Sequence, residues 1–228
     1  MYTDFYNSSG KRITFHIGSY FDYGGNAKIY RIDNNTCLKW FNESTYCNEM
    51  VFKLITKMHL NGFYNIYDML YNEEGNFVGY TMEYYNKENI DILTMPSEYT
   101  INNIYKLYYS IQSLNKQGIV INDLHDRNVI LRKKDIIIID VDMYKFYNKN
   151  SNQRIEYMNL CSLNTLFRYL YDYSLENISK TYNDYATGKK VIAELFQGDT
   201  DIFDVHRKLL KYKYPIDYIK ETSSKLCL

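Results

Sequence analysis

The spacing of apolar residues changes along the chain, and this change predicts two structural parts. Over residues 1–85, short runs of β-branched and aromatic residues are separated by Gly, Asn and Asp, which is typical of strands joined by turns. One stretch in this part, from about Ser44 to Leu60, has helical spacing instead. From Thr100 onward helical spacing dominates, and it resumes near Tyr157 after an interruption. The sequence therefore predicts an α+β fold of two lobes with a cleft between them.

The interruption predicts a loop followed by a hairpin. The helix before it ends near Gly118, a residue type favoured at helix C-termini, and its apolar face consists of Ile104, Leu107, Tyr108, Ile111 and Leu114. An apolar segment over 119–121 leads into the polar loop 122–128. Two short strands, 129–131 and 136–139, complete the hairpin.

Three polar side chains stand where these segments begin or end, at Asp123, Asn128 and Asp140. Phosphoryl transfer requires a carboxylate near the attacking hydroxyl and oxygen ligands for the Mg²⁺ that the phosphates carry. Asp123 is suited to orient that hydroxyl and accept its proton. The amide oxygen of Asn128 and the carboxylate of Asp140 are hard ligands suited to Mg²⁺. The alternative is that the loop is a solvated turn and that Asp140 merely ends a strand.

Charge, cysteine content and hydropathy narrow the class of protein. With 27 Lys and Arg against 27 Asp and Glu, the 228-residue chain has no basic excess of the kind that marks a nucleic-acid binder. The first residues lack the apolar core of a signal peptide, and no apolar run approaches the roughly 18 residues that a membrane span needs. The cysteines, at Cys37, Cys47, Cys161 and Cys227, show neither metal-ligand nor disulfide spacing. We therefore expect a cytoplasmic protein without nucleic-acid or membrane partners.

The segment IVINDLHDRNVILRKKDIIIIDVDMY, residues 119–144, resembles the catalytic loop and metal-binding strand of the protein-kinase-like superfamily. Because His125 stands where eukaryotic protein kinases usually carry lysine, the loop is more similar to the aminoglycoside and choline kinase branch. The resemblance implies that Asp123 is the catalytic aspartate and that His125 touches the transferred phosphate. It also implies that Asn128 and Asp140 are the magnesium ligands.

The resemblance implies a two-lobed protein-kinase-like fold, with a small β-rich N-lobe over 1–85 and a reduced helical C-lobe over 86–228. The implied cofactors are ATP and Mg²⁺. Asp142 would be either a further metal ligand or a turn residue.

The amino-terminal part extends the resemblance through its glycines. The segment IGSYFDYGGNAKIYRI is similar to a degenerate glycine-rich loop, in which Gly24 and Gly25 approach the nucleotide phosphates and Ala27 replaces the last glycine. The alternative is that the Gly24-Gly25 pair forms an ordinary hairpin turn.

Lys39, about one hairpin later, resembles the kinase strand lysine that binds the α and β phosphates, with the small Cys37 above the adenine ring. The alternative is an unpaired surface lysine. The carboxylate partner of Lys39 would be Glu43 or Glu49, and the helical spacing does not choose between them.

The segment GYTMEYY resembles the kinase hinge, with Met82 as gatekeeper and the backbone of Glu83 to Tyr85 bonding adenine. Read alone, it is an edge strand that leads into a linker. The later segment NLCSLNTLFRYL resembles the buried central helix of the kinase C-lobe, with Asn159 replacing the usual anchoring aspartate.

Several positions depart from the family pattern. Ile121 and Asn122 replace the histidine and arginine that usually precede the catalytic aspartate, and Val141 replaces the phenylalanine after the metal aspartate. No A-P-E sequence follows, so we expect a reduced peptide-docking platform.

The sequence thus predicts an ATP- and Mg²⁺-dependent phosphotransferase that acts on a hydroxyl of a protein or a small molecule. The alternatives are a pseudokinase that binds nucleotide or acts as a scaffold, and nucleotidyl transfer to a protein. The acceptor pocket would be formed by residues 143–228, where the sequence offers no specificity motif.

Overall fold

The computed structural model describes residues 2–18, 20–23, 25–43, 45, 47–86, 88, 90–147, 152–178, 185–197 and 202–226. The chain separates into two compact units. The first unit consists of Met1–Leu60 and Tyr64–Asn86, and the second of Asn61–Phe63 and Lys87–Leu228. The molecule is of mixed α+β class, as the apolar spacing predicts. Within the described ranges, no helix has the length and apolar character needed to cross a membrane.

The first unit is built on one seven-stranded antiparallel sheet. Its strands are β1 (Tyr2–Asn7), β2 (Arg12–His16), β3 (Asp22–Tyr23), β4 (Ala27–Arg31), β5 (Thr36–Phe41), β6 (Ile66–Tyr71) and β7 (Phe77–Glu83). Their spatial order is β2-β1-β6-β7-β5-β4-β3. A hydrophobic cluster on the sheet consists of Phe5, Ile17, Tyr30, Leu38 and Leu70.

The helix of the first unit, α1, covers Glu49–Ile55 and is shorter than the predicted stretch 44–60. Ser44 lies outside the described residues. The chain before α1 is bonded to the sheet instead, because the hydroxyl of Thr45 donates to the carbonyl of Asn26 at 2.6 Å. Such side-chain bonds to the backbone compete with helix formation, and apolar spacing alone does not reveal them.

The second unit is mainly helical. Its helices are α2 (Ser97–Lys116), α3 (Asn152–Ile178), α4 (Tyr185–Leu195), α5 (Ile202–Leu209) and α6 (Pro215–Leu226), with 3-10 turns at Ile92–Thr94 and Asp126–Asn128. Its strands form two short antiparallel pairs. They are β8 (Ile119–Val120) with β11 (Lys145–Phe146), and β9 (Val129–Leu131) with β10 (Ile136–Ile138).

Helix α2 confirms most of the apolar face that its sequence predicts. Ile104, Leu107, Ile111 and Leu114 are fully buried, whereas Tyr108 is only partly covered and packs edge-on against Phe203. The helix ends before Gly118, whose φ of +74° places it in the left-handed region. A Cβ at Gly118 would also overlap the carbonyl oxygen of Tyr147. Only glycine satisfies both conditions, so the predicted helix end is confirmed.

The predicted hairpin is also present, with β9 as expected and β10 ending one residue earlier, at Ile138. Helix α3 starts at Asn152, earlier than the helical pattern near Tyr157 indicates. Ile121 and Val141, two of the positions that depart from the kinase pattern, are both buried, each 1% exposed.

Candidate functional site

Asp123 lies in the loop that links β8 to the 3-10 turn, and 56% of its side chain is exposed. Its φ is +60°, and it is the only non-glycine residue of the described ranges in the left-handed region. This conformation costs a non-glycine residue on the order of 1 kcal/mol, so it persists only where the surrounding contacts enforce it. The loop therefore holds the Asp123 carboxylate toward solvent at the expense of backbone strain.

Asn128 connects Asp123 to the strand that precedes Asp140. Its side-chain nitrogen donates to the carbonyl of Asp123 at 2.8 Å. Its carbonyl accepts the N–H of Ile139 at 3.0 Å, and its own N–H donates to the carbonyl of His125 at 3.0 Å. The three residues that the sequence singles out are thus brought together by hydrogen bonds of one loop and one hairpin.

Asp140 caps a tight turn that follows β10. Its Oδ1 accepts the N–H of Asp142 at 3.0 Å, and the N–H of Tyr144 donates to the carbonyl of Val141 at 3.1 Å. This bond from an aspartate to the backbone two residues later is typical of an Asx turn and fixes the orientation of the carboxylate. Asp142 therefore has a backbone role in the turn, one of the two roles considered for it.

Tyr144, which no sequence motif indicates, is a buried side chain that responds to the charge of the two acidic residues. Its side chain is 1% exposed, and its hydroxyl has no hydrogen-bond partner among the described residues. Burial raises the pKa of Tyr144 well above its ordinary value, and the charges of Asp140 and then Asp123 raise it further. Both carboxylates therefore act on the same buried hydroxyl.

His125 shapes the loop that carries Asp123. Its Nδ1 accepts the N–H of Arg127 at 3.1 Å, so in the neutral imidazole the proton is on Nε2. Nε2 lies 3.5 Å from Oδ1 of Asp123, close enough for electrostatic attraction but long for a hydrogen bond. His125 is therefore tied to the loop backbone on one side and faces the candidate catalytic carboxylate on the other.

The donor groups of this loop and hairpin fit the magnesium ligands that the resemblance implies. Because the side-chain nitrogen of Asn128 is used by Asp123, the amide oxygen is oriented away from that bond and is available as a ligand. Mg²⁺ in phosphoryl-transfer sites is typically held by one or two protein oxygens together with substrate phosphates. An amide oxygen from Asn128 and a carboxylate from Asp140 meet that requirement.

Asn159 anchors the loop from α3. Its Oδ1 accepts the N–H of Ile121 at 2.7 Å, and its Nδ2 donates to the carbonyl of Ile119 at 2.9 Å and to Oδ1 of Asn115 at 2.6 Å. The side chain is fully buried. An amide suits this position because it must accept one bond and donate two, whereas an ionised aspartate only accepts.

Two of the candidate nucleotide residues of the first unit, Lys39 and Met82, share one face of its sheet. In the β5–β7 register Cys37 is opposite Met82 and Lys39 is opposite Tyr80, so these four side chains lie on the same face. Lys39 is 6% exposed, which excludes a surface lysine, and its ammonium is 5.9 Å from the centre of the Tyr80 ring. Burial raises the pKa of Cys37 to about 12, so its thiol stays neutral.

The hinge-like segment uses part of its backbone internally. The N–H of Glu83 donates to the carbonyl of Asn65 at 2.9 Å, and the N–H of Tyr84 donates to that of Asn35 at 2.7 Å. The Glu83 carboxylate accepts bonds from the Asn65 amide and the Tyr85 hydroxyl. Any adenine contact of this segment is thereby restricted to its carbonyl groups and to the backbone of Tyr85.

Of the glycine pair, Gly24 lies outside the described residues. Gly25 lies between β3 and β4, and its carbonyl accepts a bond from the side chain of Asn42 at 2.9 Å. A Cβ added to Gly25 would meet no atom within 4 Å. The space beside it is therefore open, and the residue is not required there for packing.

Among the described residues, neither candidate carboxylate forms an ion pair with Lys39. Glu49 is the first residue of α1, and its carboxylate binds the ammonium of Lys53 at 2.6 Å and the hydroxyl of Tyr71 at 3.0 Å. The bond from Lys53 lowers the pKa of Glu49. Glu43 is exposed and precedes α1, so it is not part of the helix.

A cavity of about 530 Å³ opens beside Asp123 within the second unit. One wall is the loop 123–127, and the other is one face of α3 with Cys161, Ser162, Thr165 and Tyr169. These helix positions recur at spacings of three to four residues, opposite the buried Leu163, Leu166 and Phe167. The sequence signal for this cavity wall is thus the polar face of the helix, whereas the apolar positions of α3 indicate only its buried side.

Comparison of the chain with protein-family models and with curated proteins finds no match. The candidate site therefore rests on its own geometry. Asp123, His125, Asn128 and Asp140 are brought together in the second unit, and Gly25, Lys39, Met82, Glu83 and Tyr85 belong to the first.

Proposed function

We propose that the protein is an ATP- and Mg²⁺-dependent phosphotransferase of protein-kinase-like fold that phosphorylates a hydroxyl group. The observation that carries this proposal is the position of Asn128, which bonds the carbonyl of Asp123 and, through Ile139, the strand before Asp140. A solvated turn would need neither the strained backbone of Asp123 nor the two hydrogen bonds by which Asn128 links Asp123 to Ile139.

In this proposal the exposed carboxylate of Asp123 orients the acceptor hydroxyl and takes its proton. The 3.5 Å approach of His125 Nε2 keeps that carboxylate in place and offers a donor to a phosphate oxygen. The amide oxygen of Asn128 and the carboxylate of Asp140 would hold Mg²⁺, which supplies charge neutralisation on the phosphates when bound. Lys39 would bind the α and β phosphates, and the hinge-like segment the adenine ring.

The order of elements in the first unit also supports a kinase-like nucleotide lobe. The hairpin β3–β4 precedes β5, which carries Lys39, and α1 follows directly. In protein kinases a glycine-rich hairpin, a lysine strand and a helix occur in that order. The order predicted for Gly25 and Lys39 along the chain is therefore compatible with the pairing of β3, β4 and β5.

The direct test is ATP turnover by the purified protein, with products separated by chromatography and identified by mass. We expect Asp123→Asn and Asp140→Asn to lower turnover at least about a hundredfold, because each removes a group that acts on the reacting atoms. Asp135→Asn is the matched control, since Asp135 lies in the exposed β9–β10 turn and pairs with Lys106. Wild-type turnover in both site variants would rule out these roles. Transfer of a nucleotide instead of a phosphate would appear as a different product mass.

One observation favours a pseudokinase as the second candidate. Active protein kinases pair the strand lysine with a glutamate of the following helix. Here the carboxylate of Glu49, the only acidic residue of α1, binds Lys53 and Tyr71. Calorimetric titration with ATP, with and without Mg²⁺, separates the candidates, because metal-dependent binding is expected of the enzyme and not of a scaffold.

A cytoplasmic location stays a prediction, with which the free thiols of Cys37 and Cys161 are compatible.

A further inference from the structure

We propose that the acceptor is a small hydroxylated molecule with an anionic group, a carboxylate or a phosphate, that binds Arg127 in the cavity between the loop and α3. This inference rests on the proposed function, since it identifies the substrate class of the same site. It goes further by assigning a specificity role to Arg127 and to a face of α3.

The cavity has the size and position of a small-molecule acceptor site. Its volume of about 530 Å³ lies within the range of small-molecule pockets, roughly 300–1,000 Å³. It contains Asp123, so an acceptor bound there would place its hydroxyl beside the candidate base. Only residues 141–151 separate Asp140 from α3, and the helix itself therefore forms the wall that faces the loop.

The backbone of the 3-10 turn fixes where Arg127 projects. Its N–H is bonded to Nδ1 of His125, and the next N–H, of Asn128, donates to the carbonyl of His125. Arg127 lines the cavity, and within the described ranges no carboxylate forms an ion pair with its guanidinium. An arginine in this state offers two parallel N–H donors, the geometry that carboxylates and phosphates accept.

Asp126 also lines the cavity and would oppose an anion. Asp123 is assigned to the acceptor hydroxyl. The preference of the cavity for an anion or a cation therefore depends on Arg127 and Asp126. We favour Arg127 because Asp126 is half-buried in the 3-10 turn, whereas Arg127 is exposed and has the longer side chain. The two residues give a matched pair of variants with opposite expected effects.

On α3, the exposed Thr165 and the half-exposed Tyr169 line the same cavity. A hydroxyl and an aromatic face suit the polar and carbon-bound parts of a short hydroxylated molecule. Cys161 is exposed in the same wall and provides a chemical reporter inside the cavity.

The test measures alkylation of Cys161 by iodoacetate and by the neutral iodoacetamide, with peptide mass spectrometry as readout. The same thiolate attacks the iodomethylene carbon of both reagents and displaces iodide, so the ratio of their rates reports the local charge and cancels changes in thiol reactivity. We expect Arg127→Gln to lower the iodoacetate-to-iodoacetamide ratio about threefold and Asp126→Asn to raise it by a similar factor. An unchanged ratio in Arg127→Gln would overturn the anion site.

A second measurement tests the acceptor class with glycerate and glycerol, which share their hydroxyl groups and differ in the carboxylate. At equal ionic strength, millimolar glycerate is expected to slow iodoacetamide labelling of Cys161 in the wild type but not in Arg127→Gln. Glycerol is expected to have no effect. Equal protection by the two compounds, or protection by neither, would overturn the proposal.

These readouts do not depend on catalysis, so the two proposals fail separately. Loss of the labelling differences with intact, Asp123-dependent ATP turnover would overturn the acceptor class and leave the phosphotransferase. Intact labelling differences without ATP turnover would overturn the phosphotransferase and leave the anion site.

Discussion

The side-chain oxygen of Asn159 accepts the backbone N–H of Ile121 at 2.7 Å, which ties the start of the candidate catalytic loop to the middle of α3. The bond is fully buried, so it is shielded from competition with water. The position of Asp123, two residues further on, thus depends on a helix that begins later in the chain.

This linkage predicts that Asn159→Asp destabilises the protein. A carboxylate would retain the bond from Ile121 but lose both donors, to Ile119 and Asn115, and would bury a charge. We expect a loss of about 2–4 kcal/mol in the free energy of unfolding, measured by denaturant titration. Asn102→Asp, at an exposed position of α2, is the control for the change in net charge. Equal stability of the two variants would contradict the role of the amide.

The left-handed backbone of Asp123 predicts that a glycine at this position lowers activity but gives a more stable protein than an alanine does. Asp123→Gly relieves the strain at φ +60° and removes the carboxylate, whereas Asp123→Ala removes the carboxylate and keeps the strain. We expect both variants to lose activity and the glycine variant to be more stable by about 1 kcal/mol. Thermal unfolding of the two proteins checks the difference. An alanine variant as stable as the glycine variant would show that the loop is unstrained.

Gly79 of β7 is predicted to permit the close approach of β5, the strand that carries Lys39. It pairs with Trp40 of β5, and a Cβ at this position would overlap the carbonyl oxygen of Lys39 and lie 3.2 Å from Cα of Trp40. We expect Gly79→Ala to destabilise the protein by about 1–3 kcal/mol, because the two strands would have to separate. Gly18→Ala, where a Cβ meets nothing within 4 Å, is expected to have little effect. Denaturant titrations of both variants test this contrast.

His206 of α5 predicts a loss of stability in mild acid. Its ring is buried edge-on against Tyr105, and burial lowers the pKa of His206 below the ordinary value of 6.5. The unfolded chain therefore takes up a proton at about pH 6.5, while the folded protein does so only at lower pH. Between these two pKa values the unfolded state binds more protons, so the free energy of unfolding falls as the pH decreases.

Substitution of His206 separates its contribution to the pH dependence of stability from that of other titrating groups. We expect the slope of stability against pH below 6.5 to decrease in His206→Gln and to persist in His59→Gln, since His59 is exposed. Denaturant titrations at several pH values measure both slopes. The same slope in the two variants would assign the acid sensitivity to other residues.

The helices and strands followed from the sequence where local interactions specify them. The apolar face of α2 and the left-handed Gly118 at its end are fixed by spacing and by backbone sterics, which depend only on neighbouring residues. The short hairpin from Val129 to Ile138 was predicted for the same reason. Helix α1 was predicted too long because the bond from Thr45 to the carbonyl of Asn26 joins residues of different elements.

The sequence by itself determined which residues carry the candidate chemistry, because an aspartate, an asparagine and a second aspartate at fixed spacing identify donor groups without coordinates. Only the tertiary structure decided how these groups are held and what surrounds them. The strain at Asp123, the burial of Tyr144, the bond from Tyr71 to Glu49 and the cavity beside Arg127 all depend on segments that packing brings together. Residue order does not encode such contacts locally, since their free energy arises only once distant segments meet.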